Sequence, residues 1–123
     1  MPVVRSAESK RLGEVSVELK GMVERCRTGR QSLADLSGGT FTITNLGAYG
    51  IDSFDPIIVP PQSCILGVCR IAQKPIVVDD DVAVRSVMNL CLSFDHRVLD
   101  GAPAARFLNR LKEILESPPL IFV

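Results

Sequence analysis

The sequence predicts an α+β domain: a mixed β-sheet with helices on one face. Three observations point there. Helical periodicity occupies both ends of the chain, over residues 7–28 and 101–116. Alternating and short apolar runs fill the middle, between residues 40 and 94. At residues 93–101 a long strand pattern runs directly into a helix start. The 123 residues suit a single unit with a modest core.

Residues 1–4 read as a short extended piece, which Pro2 confines to a strand start or edge. Ser6 is placed to cap the first helix. Leu12, Val15, Leu19, Met22, Val23 and Cys26 recur at three and four residues and form its apolar stripe. Gly29 supplies the residue that ends it. Ser32 and Asp35 make a capping box long enough for one turn. Gly38-Gly39 then breaks the chain.

Residues 40–44 alternate, with Phe41 and Ile43 on one face and Thr42 and Thr44 on the other. Asn45-Leu46-Gly47 and Tyr49-Gly50 read as a structural turn beside a site. Their spacing fits neither the phosphate loop nor the dinucleotide pattern. Residues 52–61 are irregular and hold Pro56, Pro60 and Pro61. Residues 63–71 form an apolar strand, and residues 76–78 and 82–84 flank Asp79-Asp80-Asp81 as a hairpin. A solvated turn suits the three aspartates better than a calcium loop, because no further oxygen ligands follow at the required spacing.

Residues 87–94 set Met88, Leu90, Leu92 and Phe94 against Asn89, Cys91 and Ser93. Both sets are small or apolar, which predicts a central strand covered on both sides. The last helix begins near Asp100 and carries a stripe of Ala104, Phe107, Leu108, Leu111 and Leu115. Pro118-Pro119 stops it. The apolar tail Leu120, Ile121, Phe122 and Val123 is expected to pack on something, as a neighbouring subunit would offer.

Fourteen basic and fourteen acidic residues cancel, and no polybasic tract occurs, so nucleic acid and anionic membranes are not the implied partners. No apolar run approaches the roughly twenty residues of a membrane span. Apolar content is 46%, charged content only 23% and mean hydropathy +0.25, a mix that favours assembly into an oligomer. Cys26, Cys64, Cys69 and Cys91 contain no Cys-x-x-Cys pair, and one histidine cannot complete a zinc set. Cys64 and Cys69 point to opposite faces of a strand, so buried, reduced thiols are expected.

His96 is the only histidine, and it lies at the strand-to-helix junction. A junction of this kind can hold a side chain rigidly and still leave it reachable. Its imidazole can take or give a proton near neutral pH. On residue type alone, His96 reads first as a polar surface or hydrogen-bonded histidine, and Thr44 first as a strand hydroxyl bonded to backbone.

The string Asp95-His96-Arg97-Val98-Leu99-Asp100-Gly101 changes that balance. It resembles the Asp-His-Arg-x-x-Asp-Gly signature of the lipoyl-dependent acyltransferases, the E2 cores of 2-oxo acid dehydrogenase complexes, which belong to the chloramphenicol acetyltransferase-like superfamily. Gly38 through Gly47 and Pro60-Pro61-Gln62 through Gly67 are similar to further segments of that family, in the same order. Pro2-Val3-Val4-Arg5 resembles its Pro-Val-Ile-Arg region. The resemblance thus covers nearly the whole chain, as the C-terminal half of a catalytic domain and hence part of a chloramphenicol acetyltransferase-like fold. A truncated product or a short natural homologue is then expected.

The resemblance implies acyl transfer between a dihydrolipoyl thioester and coenzyme A. His96 would be the general base, Thr44 the oxyanion donor and Asp100 a structural partner that caps the last helix or holds Arg97. Asn45 would shape the cofactor pocket. Coenzyme A and the lipoyl group would be substrates, with no metal. A homotrimer or larger core is implied, with the histidine from one subunit and the threonine from the next. Lipoyl domains and the E1 and E3 components would be partners. Residues 48–54 resemble acetyl-transferring members more than succinyl ones. The rival expectation is a non-catalytic core subunit. The compartment implied is the cytoplasm, or the mitochondrial matrix in a eukaryote.

Overall fold

The computed structural model describes residues 1–119 and divides into two compact units, residues 1–40 and the residues from Phe41 onward. The expectation for the apolar tail falls on residues 120–123, outside the described residues.

In the first unit, residues 1–4 form no strand; the Val3 N–H donates to the Asp35 carbonyl at 2.8 Å. Ser6 does not cap the first helix. It adopts φ 49°, and its carbonyl accepts the Ser9 N–H and hydroxyl at 3.0 and 2.8 Å, closing a separate turn. Lys10 is extended, so helix α1 spans Leu12–Arg27, starting later than the periodicity suggests. Its first turn is closed by Glu14, whose carboxylate accepts the Arg11 N–H at 2.7 Å.

Gly29 ends α1 at φ 67°. Its N–H reaches the Cys26 carbonyl, and the Arg30 N–H reaches the Arg25 carbonyl, the double closure of a Schellman motif. Met22 is the buried member of the predicted stripe, whereas Leu12 and Leu19 are exposed. Helix α2, Leu33–Leu36, is the short turn expected from its capping box. The Ser32 N–H donates to the Asp35 carboxylate at 2.9 Å, and the Asp35 N–H to the Ser32 hydroxyl at 3.2 Å. The Arg25 guanidinium, 2.7 Å from the same carboxylate, holds Asp35 well below the usual carboxylate range.

The second unit is a mixed sheet of β1 (Thr42–Asn45), β2 (Cys64–Val78) and β3 (Asp81–Phe94), in the order β1-β2-β3. β1 runs parallel to β2, and β2 antiparallel to β3. The hairpin expected at the aspartates is present. Asp79 and Asp80 both take left-handed conformations, at φ 52° and 67°, as a two-residue turn of matching twist requires. Residues 72–75 continue β2 across the interval that separates the two predicted strands.

β3 is not the central strand. Among the described residues it pairs only with β2, which lies between the other two and supplies the buried Ile65, Leu66 and Cys69. Alternation in a single strand reports what covers its faces, not which neighbours flank its edges. β1 also presents its faces against expectation for a half-buried strand. Thr42 is buried, while Ile43 on the apolar face is 66% exposed. Phe41 instead meets Phe107, with ring centroids 5.9 Å apart. Helix α3, Gly101–Glu116, contacts β3 and buries Ala104.

Two close approaches set the loops. A Cβ on Gly47 would stand 2.6 Å from the Cys69 carbonyl oxygen, so only glycine lets the turn after β1 rest on β2. At Gly67 the Phe54 ring takes the space of a side chain, 2.8 Å from where a Cβ would lie.

Candidate active site

The turn that carries His96 is an extension of the β2–β3 ladder. Cys64 faces Phe94, and one position further the Asp95 N–H donates to the Ser63 carbonyl at 2.8 Å. The Asp95 carbonyl then accepts the N–H groups of Val98 and Leu99 at 2.9 and 3.1 Å, which reverses the chain. The Asp95 carboxylate accepts the Arg97 N–H at 2.9 Å and its guanidinium at 2.6 Å. Hydrogen bonds from the Arg97 side chain, then from its backbone, pull the Asp95 carboxyl down to about 2. Main chain and side chain of Asp95 therefore both fix the turn.

His96 stands on this turn with its side chain 75% exposed. Its ring lies 5.8 Å from that of Phe94. Nδ1 is 3.6 Å from Asp100 Oδ1, too long for a hydrogen bond but close enough for attraction once the ring is protonated. Asp100 occupies the N-cap position of α3, yet its carboxylate accepts no N–H from the helix. Nor does it hold Arg97, which is paired with the sequence-nearer Asp95. Both structural roles expected of Asp100 are thus replaced by one: its carboxylate faces the imidazole.

A cleft of about 360 Å³ opens beside the turn, lined by Ile58, Pro60, Pro61, Gln62, Ser63, Asp95, Arg97 and Val98. Gln62 Oε1 accepts the Thr42 hydroxyl at 2.7 Å, which ties the cleft wall to the start of β1. Gln62 and Ser63 carry no catalytic signal of their own in the sequence. The Pro60-Pro61 pair before them is the one hint that this segment is held rigidly.

Thr44 and His96 are not brought together within the chain. Thr44 is opposite Gly67, whereas Asp95 is level with Ser63 on the far side of β2. Two strand spacings and four residue rises put Thr44 roughly 16 Å from Asp95, the residue before His96. Thr44 is half-buried on the same side of β1 as Thr42. The Asn45 side-chain oxygen Oδ1 accepts the Gly47 N–H at 2.8 Å, so that oxygen serves the turn and the side-chain N–H groups remain available. Among the described residues no cluster of three or more His, Cys, Asp or Glu is placed to hold a metal. No helix among them is long and apolar enough to cross a membrane.

This architecture matches about half of an acyltransferase catalytic core. It superimposes on a dihydrolipoamide acetyltransferase from Azotobacter vinelandii with a TM-score of 0.94 at 35% identity, covering 99% of this chain and 50% of that one. That structure was solved in work on the role of a serine, a histidine and an asparagine in its catalytic mechanism. A probable dihydrolipoamide acetyltransferase from Listeria monocytogenes gives a TM-score of 0.90 at 41% identity, covering 94% of this chain and 49% of that one.

The chain belongs to the family described as 2-oxoacid dehydrogenases acyltransferase (catalytic domain), whose model matches residues 1–123. It is 43% identical over 122 residues to the dihydrolipoyllysine-residue acetyltransferase component of the pyruvate dehydrogenase complex of Rickettsia bellii, covering 99% of this chain and 29% of that protein. It is 46% identical over 118 residues to the dihydrolipoyllysine-residue succinyltransferase component of the 2-oxoglutarate dehydrogenase complex of Bartonella vinsonii subsp. berkhoffii, covering 96% of this chain and 29% of that protein. The chain therefore spans under a third of these curated relatives and about half of the solved chains it matches.

Proposed function

We propose that this chain forms part of a dihydrolipoyl acyltransferase, moving an acyl group between a dihydrolipoyl thioester and the thiol of coenzyme A. The observation that carries the reading is the exposed His96 on a doubly fixed turn, with Nδ1 facing Asp100. That orientation leaves Nε2 for substrate.

A thiol with a pKa near 8.5 is mostly protonated at neutral pH and needs a base. His96 Nε2 takes the proton of the coenzyme A thiol. The thiolate attacks the thioester carbonyl carbon, forming a C–S bond and an oxyanion. The Thr44 hydroxyl donates to that oxyanion. The intermediate collapses, the bond to the dihydrolipoyl sulfur breaks, and His96 returns its proton to the departing sulfur.

Thr44 would come from a second copy of the chain, since roughly 16 Å separates it from Asp95, next to His96, within one copy. Exposed apolar residues, Ile43 at 66% and Val77 at 70%, offer surface for such assembly into a trimer or larger core. The Azotobacter enzyme supports the residue assignment. Its serine-to-histidine interval equals that from Thr44 to His96, and its histidine-to-asparagine interval equals that from His96 to Asp100. Lipoyl domains and the E1 and E3 components are the partners proposed. Acetyl is the proposed acyl group, on the likeness of residues 48–54 to acetyl-transferring members.

The test is dihydrolipoamide acylation by acetyl-CoA in the assembled protein, compared with His96→Ala. Turnover that the substitution abolishes supports the proposal. An intact core with no turnover from acetyl-CoA or succinyl-CoA selects the scaffold reading.

A further inference from the structure

Cys69 and Cys91 meet across the β2–β3 ladder, with their sulfurs 3.9 Å apart. Cys91 is opposite Gly67, so the two cysteines are diagonal neighbours on one face of the sheet. The contact falls where the register shifts between Val68 and Ile71, a bulge that places an additional residue in β2. Cys69 is buried, while Cys91 also borders an open cleft of about 590 Å³ between β3 and α3.

A clasped loop covers the pair. Arg70 grips the Asp52 carboxylate with two bonds of 2.7 Å, and the Asn89 amide donates to the Asp52 carbonyl at 2.8 Å. This holds the next residue, Ser53, with its hydroxyl 3.7 Å from the Cys91 sulfur. Phe54 is pinned by its ring on Gly67.

We propose that Cys69 and Cys91 are a peroxide-sensitive dithiol, in which Cys91 is oxidised first and Cys69 closes the disulfide. The two environments divide the roles. Hydrogen bonding from the Phe54 backbone, with help from Ser53, pulls the Cys91 thiol below its ordinary value. Burial pushes the Cys69 thiol up. A thiolate at a cleft is the better nucleophile, and a buried neighbour within reach is a resolving thiol.

The steps balance. The Cys91 thiolate attacks hydrogen peroxide; an S–O bond forms, the O–O bond breaks, and the released hydroxide takes a proton to become water. Cys69 then attacks the Cys91 sulfenic sulfur; an S–S bond forms, the S–O bond breaks, and the Cys69 proton leaves with the second water. Two thiols are oxidised and one peroxide is reduced. Closure must bring the sulfurs from 3.9 Å to about 2 Å, and the bulge is the part of the ladder best able to yield.

The pair is linked to the strand that bears Thr44. The Leu46 N–H donates to the Val68 carbonyl at 3.1 Å, and Gly47 rests on the Cys69 carbonyl. Disulfide closure is therefore expected to shift the turn after Thr44 and depress acyl transfer, a consequence that rests on the proposed function above.

The experiment treats the purified protein with equimolar hydrogen peroxide, alkylates free thiols and maps unreduced peptides by mass spectrometry. A Cys69–Cys91 linked peptide that dithiothreitol removes, with Cys26 and Cys64 still alkylated, is the expected result. Cys69→Ser should leave a dimedone-reactive sulfenic acid at Cys91, and Cys91→Ser should slow oxidation of Cys69 about tenfold or more. Absence of the linked peptide, prior oxidation of Cys26 or Cys64, or unchanged Cys69 oxidation in Cys91→Ser overturns the proposal. The peptide map decides it independently of turnover, so an inactive but disulfide-forming protein would count against the acyltransferase reading alone.

Discussion

Thr44 and His96 lie on opposite sides of β2, with Thr44 roughly 16 Å from Asp95 beside that histidine, although both belong to the proposed site. No side-chain rotation spans that gap. A site shared between copies predicts complementation. Mixing His96→Ala chains with Thr44→Ala chains, under conditions that exchange subunits, should restore turnover absent from either variant alone. Assay of the mixture against each parent checks this; no recovery despite proven subunit exchange would place the site within one chain.

His96→Ala should lower kcat by about 10²–10⁴-fold, the usual worth of a positioned general base. The side chain is exposed, so the thermal midpoint should hardly move. Steady-state kinetics beside a melting curve separates this from a folding defect. A variant within threefold of wild type would remove His96 from the mechanism.

Thr44→Ala should cost roughly 3 kcal/mol of transition-state stabilisation, appearing in kcat more than in KM. Thr44→Ser keeps the hydroxyl and should retain most activity. If the serine variant is as impaired as the alanine one, the threonine methyl and its packing matter rather than the donor.

The Asp95–Arg97 pair should give the turn an acid-labile contribution. Arg97 lowers the Asp95 carboxyl to about 2, against about 4 for an unperturbed aspartate. A depressed carboxyl stabilises the fold above its unfolded value, and that stabilisation is lost as pH falls through the folded one. The stability gap between wild type and Arg97→Ala should therefore be constant above pH 5 and close between about pH 4 and 2. Urea midpoints measured across that range test it; a gap that widens on acidification contradicts the assignment.

Gly47→Ala should destabilise the second unit by about 1–3 kcal/mol, because the new Cβ would meet the Cys69 carbonyl at 2.6 Å. Gly50→Ala, where φ is 78° but the space is open, tests strain without collision and should cost less. Denaturant midpoints rank the two.

Read alone, the sequence determined what local chemistry can specify. The Ser32–Asp35 box, the Gly29 stop, the Asp79–Asp80 turn and the limits of α3 all depend on residues within a few positions of one another. The string around His96 pointed to the candidate site through its resemblance to a family signature, and its turn is closed by its own neighbours Asp95 and Arg97. Ser6 is the local exception, because its carbonyl found a nearer partner in Ser9 than a helix could supply.

Tertiary structure decided the rest. It placed β2 rather than β3 at the centre, turned Thr42 inward and Ile43 outward, and freed Asp100 to face His96. It also set Cys69 beside Cys91 and Thr44 far from His96. Each of these depends on which strand pairs with which and in what register. Residues distant in the chain settle that jointly through burial and hydrogen bonding, and periodicity within one segment carries no record of it.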